Sequence, residues 1–101
     1  MMKSTIALVI SLTASVALAQ QTPFETVVQG AKLGGGNIEP ILLDIGEKCQ
    51  VNPREQPMTW FNGVIFGIAN KGKVQEAIKA KAEQNQAGYD RAIKAISCQS
   101  A

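Results

Sequence analysis

Between Glu55 and Lys71 the chain carries no charged side chain, and from Met58 to Ala69 only Thr59, Asn62, Gly63 and Gly67 interrupt a run of apolar residues. Few destinations suit such a run. As a helix its twelve residues rise about 18 Å, against the roughly 30 Å of a bilayer core, so it cannot span a membrane. An interfacial helix would show a strongly charged opposite face, and this run has no charge to supply one. A helix apolar nearly all round belongs at the centre of a bundle. The expectation is therefore an all-α domain of four or five helices wrapped around residues 60 to 68, with Trp60 and Phe66 inside. Gly63 and Gly67, one helical turn apart, would let a neighbour approach closely.

The flanking segments read as the surrounding helices. Thr22-Pro23-Phe24-Glu25 combines a capping threonine, a proline at the first helical position and a glutamate three residues after the cap. Phe24, Val27, Val28 and Ala31 follow the i, i+3, i+4, i+7 spacing of a buried stripe, until Gly34-Gly35-Gly36 ends it in a loop. Asn37 opens a second helix, where Ile38, Ile41, Leu42 and Ile45 repeat that spacing and Cys49 extends the face. Pro40 falls in the first turn, where a missing N–H removes no bond. Residues 50–57 hold two prolines and form a connector, with Asn52-Pro53-Arg54-Glu55 able to start a short turn of helix. Asn70-Lys71-Gly72 reads as the end of the apolar helix, in residues that tolerate left-handed backbone. Beyond it, Val74, Ala77 and Ile78 form one stripe and Tyr89, Ala92, Ile93 and Ile96 another. The two are in register, which slightly favours one continuous helix over a break near Gln84 to Gly88.

The start of the chain has the order of a secretory signal peptide over residues 1–19. A short basic beginning precedes a stretch from Ile6 to Leu18 that is apolar or small at every position, and Ala17-Leu18-Ala19 fits a cleavage site. The remaining residues, 20–101, read as one small helical domain, secreted or periplasmic. Without Lys3 that product carries nine basic and eight acidic side chains, a net charge of +1. Charge alone thus gives no nucleic-acid or membrane-surface footprint. Lys71, Lys73, Lys79 and Lys81 cluster mildly, but Glu76 and Glu83 lie among them as on a solvated helix face. Two cysteines in an oxidising compartment predict one disulfide, Cys49–Cys98, stapling the bundle.

Catalytic chemistry is poorly supplied. The chain has no histidine and no spare cysteine, so neither a metal site nor an activated thiol finds its usual partners. Asp44 with Glu47, and Glu76 with Glu83, are spaced to share helix faces. Paired carboxylates catalyse only when burial separates their pKa values, and these positions read as exposed. No catalytic residue, cofactor or metal ligand is assigned. What remains is a non-enzymatic binding protein whose partner is another protein. The segment WFNGVIFGIAN, followed by a closing amphipathic helix and Cys98, resembles type VI secretion immunity proteins of the Rap and Tai kind over about fifty residues. The resemblance rests on glycine spacing and one terminal cysteine, without the family's other cysteine context, and no residue role is carried over. It implies an inhibitor- or immunity-type protein that occupies a partner's surface. The alternative is an envelope stress chaperone that exposes its apolar core on partial unfolding, by analogy of size and composition with acid-stress chaperones of the Hde kind. A structural or host-directed secreted role is a third reading.

Overall fold

The computed structural model describes residues 21–100; the signal-peptide segment expected over 1–19 lies outside the described residues. Five α-helices and no strand occur among them, so the domain is all-α as the periodicity predicts. The order is α1 (Pro23–Leu33), α2 (Glu39–Cys49), a 3₁₀ turn (Pro53–Glu55), α3 (Met58–Trp60) running into a π-helical segment (Phe61–Ile65), α4 (Lys71–Ala82) and α5 (Gln86–Ala95).

Local chemistry explains most of the boundaries. The Thr22 hydroxyl oxygen accepts the Glu25 N–H at 3.2 Å and Pro23 opens α1. The Asn52 side chain accepts the Arg54 N–H at 3.1 Å, which seeds the 3₁₀ turn. Both α2 and α4 end with a glutamine in left-handed backbone, Gln50 at φ 59° and Gln84 at φ 58°. In each case the next residue's N–H reaches back five residues, Val51 to Gly46 and Asn85 to Ala80, closing the helix end.

That second closure separates α4 from α5, so residues 73–97 form two helices rather than one. Asn85 caps α5 by accepting the Gly88 N–H at 3.0 Å. A Cβ at Gly88 would stand 2.6 Å from the Asn85 amide nitrogen, so the glycine is what lets this cap close. The two apolar stripes are then folded onto one core instead of being strung along a single rod. Val74, Ala77, Tyr89, Ala92 and Ile96 are all buried.

The centre of the core is shared. Ile41, Leu42 and Ile45 of α2, Phe61, Val64 and Ile65 of the π-helical segment, and Phe24 and Val28 of α1 belong to one buried cluster. The apolar run is therefore only partly the core. Its helix stops at Ile65, and the Phe66 N–H bonds the Phe61 carbonyl at 2.9 Å, the wide i→i+5 closure that defines a π turn. That closure and the early stop take the later residues off the buried face. Phe66 is 43% exposed, Ile68 is 93% exposed, and Trp60 is half-buried against the Phe61 ring in an edge-on contact. The expectation that Trp60 and Phe66 are core residues is thus corrected; Phe61 and Ile65 take that place.

A seam of polar contacts fixes the C-terminal strap. Asn70, 1% exposed, donates to the Val64 carbonyl at 2.9 Å and to the Ser97 carbonyl at 2.6 Å, and accepts the Ser97 N–H at 2.8 Å. Its backbone is not left-handed, and it precedes α4 instead of simply ending the helix before it. The Lys48 ammonium donates to the carbonyls of Ile93 at 3.1 Å and Lys94 at 2.6 Å, and also to that of Ile96. A cation there satisfies the unpaired carbonyls at the end of α5 and complements its dipole. Between these two anchors the strap brings Cys98 to Cys49, with Cα atoms 5.5 Å apart and the disulfide formed as the sequence predicts. The strap also explains Gly63, where a Cβ would lie 2.5 Å from the Ser100 hydroxyl. The close approach it permits is by the chain end, not by another helix.

Candidate functional site

Two of the predicted stripes are only half used by the core. On α1, Phe24 and Val28 point inward, whereas Val27 and Ala31 are half-buried. On α4, Val74 and Ala77 are buried but Ile78 is only partly covered. These leftover flanks face each other. Thr26, Val27, Gly30 and Ala31 of α1 form one wall, and Lys71, Val74, Gln75 and Ile78 of α4 form the other. Ile38 and Phe66 complete an open groove of about 470 Å³. The α4 wall is an i, i+3, i+4, i+7 series, so all four side chains project along one line. Lys71 stands at one end of that line and is the groove's one charged residue.

Two further apolar residues, outside the groove lining, are exposed. Leu33 is 91% exposed and sits seven residues after Thr26 and three after Gly30, on the same helical stripe as that wall. Ile68, two residues beyond Phe66, is 93% exposed. Single exposed apolar residues need no explanation, whereas an apolar depression with exposed apolar residues on its flanking chain calls for one.

The carboxylates singled out in the sequence go elsewhere. Asp44 is half-buried on α2 and accepts a hydrogen bond from the Tyr89 hydroxyl, which ties α2 to α5. Burial, and then the Asp44 carboxylate, hold the Tyr89 phenol well above its ordinary range. Glu47 is exposed nearby and makes no such bond. Glu76 and Glu83 line a depression of about 500 Å³ between α4 and α5, among Lys73, Lys79 and Arg91. Charges of both signs alternate there, and most of these side chains are exposed, as on a solvated helix face. Neither carboxylate pair is set in an apolar site of the kind that divides acid from base. Cys49 and Cys98 are joined to each other and away from the groove lining. Among the described residues no group of three or more cysteine, aspartate and glutamate side chains is placed to hold a metal ion.

Sequence periodicity found the apolar residues of both walls, Val27, Ala31, Val74 and Ile78, but assigned them to the core. Phe66 and Ile68 gave no sign of their exposure, because the π turn that ends their helix has no fixed sequence pattern. Lys48 and Asn70 were equally silent, since their partners lie 45 and 27 residues away in the chain. No protein-family model, no curated protein and no solved structure matches this chain.

Proposed function

We propose that this is a small exported, non-enzymatic binding protein of the inhibitor or immunity type, which acts by occupying the surface of a partner protein. The observation that carries the reading is the open apolar groove between α1 and α4, with the exposed Phe66 in its lining and with Leu33 and Ile68 exposed on the chain that flanks it. A domain of this size has little apolar area to spare for its own core. Leaving two large aliphatic side chains more than nine-tenths exposed forgoes burial worth about 1.5–3 kcal/mol each. A partner that covers them recovers it. Export fits the disulfide, which persists in oxidising compartments, and no helix among the described residues is long and apolar enough to cross a membrane.

The test is capture from the native exported fraction, with the natural chain and Ile68→Asp side by side. The expected result is one stoichiometric partner that Ile68→Asp loses while its circular dichroism stays unchanged, because the position is exposed. A chaperone would behave differently: it would hold a mixed set of clients, and only as its structure loosens. Following circular dichroism and suppression of client aggregation from about pH 7 to about pH 2 separates the two. Protection that grows as the fold opens overturns the inhibitor reading.

A further inference from the structure

The α1/α4 groove has the composition of a ligand site, independently of any protein that covers its rim. Its size falls inside the range of small-molecule clefts, about 300–1,000 Å³. Such clefts are mostly apolar with a few polar groups that fix orientation. Here Val27, Ala31, Ile38, Phe66, Val74 and Ile78 supply the apolar lining, while the one charge, Lys71, lies at an end. From Lys71 to Ile78 the α4 wall rises about 10 Å, so the cation and the apolar length are arranged head to tail. Among the described residues Lys71 is paired with no carboxylate, the one ion pair there being Arg54–Glu39. The neighbouring cation Lys73 is already bonded to the Ala69 carbonyl.

From this arrangement we infer that the groove binds a single-chain amphiphile with a carboxylate head, the aliphatic chain lying between α1 and α4 and the head meeting the Lys71 ammonium. The chemistry selects both parts. A linear chain covers the half-buried flanks of Val27, Ala31 and Ile78, which otherwise face water. An anionic head placed at Lys71 also meets the positive end of the α4 dipole, whereas a cationic head is repelled by both. Thr26 and Gln75 are the neutral polar groups of the lining.

Decanoate and decyltrimethylammonium, two probes with the same chain and opposite heads, make the test, both used below their micellar concentrations. Calorimetry on the disulfide-bonded protein gives affinity, and backbone amide shifts give location. Decanoate binds more tightly than its cationic counterpart, by about fivefold for a solvent-accessible ion pair, and shifts concentrate in residues 26–31 and 71–78. Lys71→Glu, at an exposed position, reverses the head-group preference. Gly30→Leu fills the groove and abolishes binding of both probes; a Cβ at Gly30 meets no atom within 4 Å, so the fold accommodates it. If the leucine disturbs the fold, Lys71→Glu decides alone. Equal affinity for both heads, shifts centred elsewhere, absence of binding, or an unchanged preference in Lys71→Glu each overturns the inference.

Discussion

The C-terminal strap and the α1/α4 groove lie on the same small domain and are built on opposite terms. At the strap the anchoring groups all have named partners: Asn70 bonds Val64 and Ser97, Lys48 bonds three carbonyls, and Cys49 is joined to Cys98. At the groove the lining is apolar, its flanks are wet and its one cation is unpaired among the described residues. Hydrogen bonds and covalent links fix one geometry and have little left to offer a partner. Uncovered apolar area leaves free energy that a partner can release. The strap holds the fold, and the groove is where it has something to gain.

The largest expected effect sharpens the boundary between core and groove within five residues of sequence. Phe61→Ala removes a ring with no exposed surface and costs about 3–5 kcal/mol. Phe66→Ala, on the groove side of the same segment, costs about 1 kcal/mol or less because much of its ring is already wet. Denaturant unfolding of the two variants checks this, and equal losses would place Phe66 in the core after all.

The strap supplies the next two effects. Reducing the disulfide reopens a link across 49 residues and lowers stability by about 4 kcal/mol in the chain-entropy view. An unfolding midpoint that ignores reductant would mean that Asn70 and Lys48 hold the strap alone. Asn70→Ala strands the Ser97 N–H and two carbonyls, and costs about 2–4 kcal/mol. The same replacement at Gln75 in the groove wall, which gives up no hydrogen bond among the described residues, is close to neutral by thermal unfolding.

Tyr89 tests the strap side through pH. It is the chain's one tyrosine, so tyrosinate absorbance reads it without interference. Its phenol is held above the ordinary value of 10.0, so above that pH the unfolded chain gives up its proton while the folded chain keeps it. Stability from this residue is therefore present in full below pH 10 and is lost as pH rises beyond it. Tyr89→Phe removes that alkaline slope. An unchanged slope in the variant would assign the effect to other groups.

The smallest effect concerns the turn between α4 and α5. Gln84 holds left-handed backbone that glycine adopts without strain, so Gln84→Gly gains about 0.5–1 kcal/mol. A loss instead would show that the Gln84 side chain contributes to the turn.

What the residues fix on their own is local. Thr22 with Pro23, and Asn52 with Pro53, cap where the sequence says they do, because a cap needs only a side chain two or three residues from its target N–H. The stripes on α2 and α5, and half of that on α1, face inward because a helix has one period and apolar residues placed at that period share a side. The disulfide follows from there being only two cysteines to join. Tertiary structure decided the rest. Stripe register slightly favoured one continuous helix over residues 73–97, and folding both stripes onto one core decided instead for two, closed by the Asn85 cap. Whether Val27 and Ile78 are core or groove depends on what lies opposite, which periodicity does not record. Asn70 shows the limit most plainly, since its identity suggests a helix end and its role is to bind Ser97. Side-chain spacing reports which residues share a face, but covering that face takes chain from dozens of residues away, and only the packed structure brings it there.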